Sequence, residues 1–175
     1  MPRAGSYTTS HLPDARTAMS IDALRSCVLF TGFSEEQLSD LAELFEGEHL
    51  QSGQIIFAQD DPADRLYVLL GGRVAIRFKP HDGDVLTVTE IGQGGVFGWS
   101  AALGRRSYTS SAVCLQAGDA LGLRGADLRR LCETRPETGV VILERLAEVI
   151  AQRLRSTHDQ VVELLRLGMC STPLG

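Results

Sequence analysis

This sequence predicts a mainly β domain, an antiparallel sandwich or barrel with flanking helices, and three observations predict it. Between Glu48 and Leu123 apolar residues alternate with polar ones, and turn residues recur roughly every ten positions, as short strands joined by tight turns require. Ahead of that region the apolar spacing is helical, in steps of three and four. Beyond it the helical spacing returns and runs on to Leu164, more than three heptads.

The first stretch, 1–19, is rich in Ser, Thr, Pro and Gly and has no apolar period, so it reads as a flexible leader. From Ser20, a suitable N-cap, Ile21, Leu24 and Val28 fall on one helical face. Ser34 opens a second helix, where Gln37 completes a capping box and Leu38, Leu41, Leu44 and Phe45 form the apolar stripe. Strands are expected at 49–51, 54–58, 65–70, 73–79, 85–91, 108–115 and 120–123. Ser52-Gly53, Asp60-Asp61-Pro62, Gly71-Gly72, His81 to Asp84 and Gly92 to Gly95 separate them. In these turns Gly supplies positive φ and Asp-Gly suits a hairpin.

"GADLRRLCE" then reads as a short helix, and a long one is expected over 136–167 with Pro136 in its first turn, leaving 168–175 as a tail. Along the long helix Val140, Leu143, Ala147, Ile150, Leu154, Thr157, Val161 and Leu164 make a seam. Glu144, Arg145, Glu148, Arg153, Asp159 and Glu163 flank it. Such a helix is longer than one small barrel can cover, which predicts a parallel two-helix seam in a homodimer. The other reading is one amphipathic helix lying back on the sandwich.

With 175 residues, 43% of them hydrophobic and 22% charged, the chain suits a single globular domain. A net charge of -5 and dispersed basic residues argue against a surface for duplex DNA. Cys27, Cys114, Cys132 and Cys170 form no Cys-x-x-Cys pair, so neither a zinc site nor a redox dithiol is expected. There is no apolar run of the ~18 to 20 residues a membrane span needs, and no secretory start, which predicts a soluble cytoplasmic protein. His49 and His81 stand apart, without the His-x-His spacing of a β-roll metal site, and no Ser-His-Asp or Cys-His set converges. The expectation is a non-enzyme with no metal.

The segment most suggestive of a ligand is 95–113, "GVFGWSAALGRRSYTSSAV". A glycine turn running into a short helix can hold a phosphate on unpaired N–H groups, although the same residues can make an ordinary tight turn.

Taken in order, these elements resemble the cyclic-nucleotide-binding domain of the cyclic AMP receptor protein (Crp/Fnr-like) superfamily across about 21–165. "LFTGFSEEQLSDLA" is similar to the family's entry helices, "LQSGQIIFAQDDPADRLYVLLGGRVAI" to its first strands, residues 95–113 to its phosphate-binding cassette, and "RLRSTHDQV" to the part of its dimer helix that closes over ligand. The resemblance implies an antiparallel β-roll (double-stranded jelly roll) over 20–135 with two N-terminal helices, a phosphate-cassette helix and a long C-terminal dimerisation helix. The candidate ligand-binding residues are Gly98, Trp99, Ser100, Arg105, Arg106, Tyr108, Thr109 and Thr157, the last by resemblance a hydroxyl facing an adenine with His158 at the rim.

The cassette also departs from the family pattern. Trp99 stands where the family has a Glu for the ribose hydroxyl, and Tyr108 stands where it has an Arg for the cyclic phosphate. Trp99 is either a stacking surface or a plug. Arg105 and Arg106 either swing in to replace the missing cation or lie in a solvated loop, and strand alternation would turn Thr109 and Ser111 to one side.

The function implied is non-catalytic and regulatory. Cyclic AMP or another anionic small molecule would bind in the roll, and the dimer helix would signal to a partner protein. About ten residues follow that helix, too few for a helix-turn-helix, so direct DNA binding is not expected. The alternative is a degenerate, ligand-free dimerisation module, distinguished by a pocket filled with the Trp99 and Tyr108 side chains.

Overall fold

The computed structural model describes residues 21–170, with side chains in the last helix described through Arg155 and at Val162. The leader expected over 1–19, the Ser20 cap, and the side chains of Thr157, His158, Val161 and Leu164 lie outside the described residues.

Helix α1 (Ile21–Arg25) is a single turn or so, followed by a 3-10 turn at Val28–Phe30 and by α2 (Glu35–Ala42). The Ser34 capping box forms as expected: its Oγ accepts from the Gln37 N–H, and Gln37 Oε1 accepts from the Ser34 N–H. Val28 is a correction. The helix stops at Arg25, the 3-10 turn shifts the angular phase, and Val28 is left 79% exposed while Leu29 and Phe30 take the buried positions.

Eight strands follow: β1 (Glu46–Leu50), β2 (Ile55–Phe57), β3 (Arg65–Leu69), β4 (Arg73–Phe78), β5 (Leu86–Ile91), β6 (Val96–Phe97), β7 (Ser111–Gln116) and β8 (Gly118–Arg124). They form two antiparallel four-stranded sheets, ordered β1-β8-β3-β6 and β2-β7-β4-β5. This is the β-roll with flanking helices. Gly118, the first residue of β8, meets the backbone of Gly71 in the β3–β4 turn so closely that a Cβ there would strike its carbonyl. The Leu70 N–H donates to the Asp119 carbonyl at 2.8 Å in the same place, carrying the β3–β8 pairing into the turn.

The central strands of the first sheet, β3 and β8, are buried on both faces. Along β3, Leu66 and Val68 face the helices while Tyr67 and Leu69 face the second sheet, and β8 splits its Leu121 and Leu123 from Ala120 the same way. The period of two thus serves two cores. One is shared with Leu24, Leu41, Phe45, Leu128 and Ile142 of the helical layer. The other is shared with Phe57, Val74, Ile91, Ala112 and Cys114 of the second sheet.

Helix α3 (Gly125–Thr134) leads into α4 (Pro136–Cys170), which runs past the expected end at 167. One face of α4 packs on the roll through Ile142, Leu146 and Val149. Thr138 Oγ1 donates to Asp40 at 3.0 Å, and Arg145 donates to the Thr31 carbonyl at 3.1 Å. The expected seam lies on a different face: Val140, Leu143 and Leu154 are 54%, 42% and 63% exposed.

Candidate functional site

The roll opens at the end where β6 passes into the cassette, and a cavity of about 210 Å³ lies there. Phe57, Ile76, Val88, Phe97 and Leu154 give it apolar walls, and Thr89, Ser100, Thr109 and Ser110 place hydroxyl-bearing residues around it. Gly98, Trp99, Tyr108 and Arg153 complete the described lining. Among these residues Arg153 is the only charged one.

Gly98 is dictated by space and by backbone. Its φ is +72°, and a Cβ there would lie 2.8 Å from the Arg65 carbonyl oxygen on β3 and 3.3 Å from the Phe57 ring. After it the expected cassette helix does not form. Residues 99–104 make successive turns: the Leu103 N–H reaches the Trp99 carbonyl at 3.0 Å, and the Arg105 N–H reaches back to the Ser100 carbonyl at 3.0 Å. Turns therefore stand where the glycine spacing suggested a helix N-terminus.

Tyr108 is built into the wall. Its ring stacks on Phe57 with centroids 3.7 Å apart, and it is 3% exposed. The phenol donates to the Arg65 carbonyl at 2.6 Å and accepts from the Arg65 N–H at 3.0 Å. The hydroxyl is thereby occupied by β3 backbone, and burial, foremost, pushes its pKa up. Tyr108 therefore presents the cavity with aromatic surface and no polar group.

Arg105 and Arg106 are exposed and stand outside the described lining, in the loop that leaves the cassette. The Ala63 N–H bonds the Arg106 carbonyl at 3.1 Å, and the Tyr108 N–H bonds the Asp61 carbonyl at 2.9 Å. That pairing turns Tyr108 inward and leaves the two arginines on the outer loop. The expected alternation fails for a related reason. β7 begins only at Ser111, so Thr109 and Ser110 line the cavity, whereas Ser111 Oγ accepts from the Gln59 N–H at 2.8 Å.

The one charged residue in the described lining comes from α4. The Arg153 guanidinium carbon sits 4.8 Å from the centroid of Trp99, a cation–π contact between helix and cassette. Burial pulls the Arg153 pKa below the ordinary arginine value. Trp99 and Tyr108 border an open cavity and do not fill it. Thr157 follows on the same helix, with its side chain outside the described residues. Among the described residues no group of three or more His, Cys, Asp or Glu could hold a metal ion, and no helix is long and apolar enough to cross a membrane.

A β-roll with a glycine turn at its open end and a long helix laid across that opening defines a class of ligand-binding regulatory domain. A family model described as the cyclic nucleotide-binding domain matches residues 47–135, and the chain belongs to that family, in its Crp/Fnr-type branch.

The chain is 29% identical over 137 residues to a CRP-like cAMP-activated global transcriptional regulator from Mycobacterium tuberculosis, a match covering 78% of this chain and 59% of the regulator. It therefore spans less than two thirds of that relative. A cyclic nucleotide-binding protein from Geobacter metallireducens is similar in structure, with a TM-score of 0.69 and 30% identity, over 78% of this chain and 98% of the other. The catabolite activator protein of Thermus thermophilus gives a TM-score of 0.64 at 28% identity, over 79% of this chain and 62% of the other.

Proposed function

We propose that this protein is a non-catalytic, cytoplasmic ligand sensor that takes a small anionic molecule in the roll and reports its presence through α4. The observation that carries this reading is that the cavity is open and is walled jointly by the cassette and α4, with Arg153 lying against Trp99. Ligand and helix position are then one equilibrium, because a ligand held between the two favours one placement of α4 over another. The mycobacterial relative is a cAMP-activated regulator, so cyclic AMP belongs in the first titration.

The reading extends to assembly. Val140 and Leu143 present apolar side chains away from the roll, and a second copy of the same helix would cover them. In this reading the dimer's α4 pair is what a partner protein reads, with no direct DNA contact by residues 21–170. Leu143→Glu should convert a dimer to a monomer in sedimentation while keeping the circular dichroism of the fold. A wild-type monomer would remove the seam.

Trp99 is the chain's one tryptophan, so its emission reports the site directly. Cyclic AMP, cyclic GMP and a set of small organic anions should include one that changes Trp99 emission and slows amide hydrogen exchange across 140–155. An emission change with no effect on α4 would retain the pocket and remove the relay. Silence from the whole set would favour the ligand-free dimerisation module.

A further inference from the structure

Resting on the sensor reading, we propose that Asp40 is the positioning residue of the relay: it holds the α3–α4 joint closed, sets the tilt of α4, and so places Arg153 at the cavity. The Asp40 side chain lies on α2, is 15% exposed, and has both carboxylate oxygens engaged. Oδ2 accepts from Thr138 Oγ1 at 3.0 Å, and Oδ1 pairs with Arg135 Nη1 at 3.3 Å. Arg135 is the single residue between α3 and α4, and Thr138 lies in the first turn of α4. One side chain of α2 therefore spans the joint. Glu36 also approaches Arg135, at 3.7 Å, but from an exposed position where an ion pair contributes little.

Close packing leaves the joint little other freedom. A Cβ at Gly139 would lie 2.7 Å from the Cys132 Cα, so the start of α4 rests directly on α3. Further along, Ile142 and Leu146 are buried in the helical core, and Arg145 donates to the Thr31 carbonyl. Toward the cavity the packing thins: Val149 is partly buried and Leu154 is exposed. The helix is thus gripped near its start, and farther on it meets the cassette through the Arg153 side chain on Trp99.

Leverage makes that grip matter. From Thr138 to Arg153 the helix runs about 22 Å at 1.5 Å per residue. A tilt of about 5° at the joint displaces Arg153 by about 2 Å over that length. The guanidinium carbon is 4.8 Å from the Trp99 centroid. Cation–π attraction holds out to about 6 Å, so such a tilt away from the roll breaks the contact. The bonds of Asp40 and the contact at the cavity are two ends of one lever, and a ligand that shifts α4 at Trp99 is felt at Asp40 in return.

The test reads Trp99 emission and amide exchange over 149–155 in the ligand-free full chain. Asp40→Ala should change the emission and speed that exchange on the order of tenfold, with the circular dichroism of the fold retained. Asp40→Asn still accepts from Thr138 and lacks the charge that holds Arg135, so this milder variant should show part of both effects. Ser34→Ala removes the cap of α2 without touching either Asp40 bond, and should leave both readings alone. In an Arg153→Gln background Asp40→Ala should add no further emission change, because the lever has lost its far contact. Unchanged emission or exchange in both Asp40 variants, an equal response to Ser34→Ala, or an Asp40 emission effect that survives Arg153→Gln overturns the proposal. No ligand enters these measurements, so their failure leaves the sensor reading standing. A cavity that takes no ligand while the coupling holds removes the sensor reading alone.

Discussion

The two sheets of the roll are built from similar strands and live in different surroundings. In β1-β8-β3-β6, four consecutive residues of β3 and four of β8 are buried, because helices cover one face and the second sheet covers the other. In β2-β7-β4-β5 only the inner face is covered, and β5 carries Leu86 and Val88 at 57% and 49% exposure on an edge strand. The cavity takes Phe57, Ile76, Val88 and Thr89 from this second sheet. Burial is concentrated in the doubly covered strands, and the cavity takes four of its lining residues from the other sheet. Regions that must respond to ligand come from the less stable part of a domain.

The sharpest way to break that contrast is one substitution made twice. Leu66→Ala on β3 removes a fully buried side chain from between two layers and should cost about 2 to 5 kcal/mol. Leu86→Ala on β5 should stay within about 0.5 kcal/mol. Urea midpoints for the two variants decide it. A comparable loss at Leu86 would mean that a second copy covers the outer sheet in solution.

Tyr108 joins the two regions, with its ring on Phe57 of β2 and its hydroxyl on the backbone of β3. Tyr108→Phe keeps the ring and strands a buried N–H and C=O, which should cost about 1 to 3 kcal/mol. Since the phenol faces β3 and not the cavity, ligand affinity should change less than about threefold. A large affinity loss at unchanged stability would place the hydroxyl in the site after all.

How much of this the sequence could tell follows the same division. The doubly buried strands β3 and β8, the Ser34 capping box and the long helix were legible because each rests on local periodicity or a local cap. β6 was not, since Val96–Phe97 is a two-residue strand between glycine turns and too short to show a period. The cassette helix was over-read: Gly98 and Gly104, both at positive φ, bracket a segment that closes on itself in turns.

Trp99, Gly98 and the loss of an arginine at Tyr108 were visible residue by residue. Arg153 stood among the seam's flanking charges with nothing local to set it apart from Arg145. Arg145 reaches Thr31 and Glu148, and Arg153 reaches Trp99, a difference made only by where α4 crosses the roll. Val88 and Leu154 entered the site for the same non-local reason.

The smallest expected effect probes the rigid sheet's own electrostatics. Glu48 on β1 has its pKa raised, by burial first, with Arg65 pulling the other way and Glu46 adding repulsion. The folded state therefore holds this proton more tightly than the unfolded chain does. Its contribution is whole below the ordinary value of 4.5 and is lost as the pH climbs through the raised folded value. Glu48→Gln should stabilise the protein at pH 7, by less than about 1 kcal/mol because solvent screens a half-exposed carboxylate. At pH 3 it should change nothing. Thermal midpoints of wild type and variant at the two pH values test it. A variant less stable at pH 7 would mean that the attraction of Arg65 outweighs burial, and that this charge ties β1 to β3 across β8.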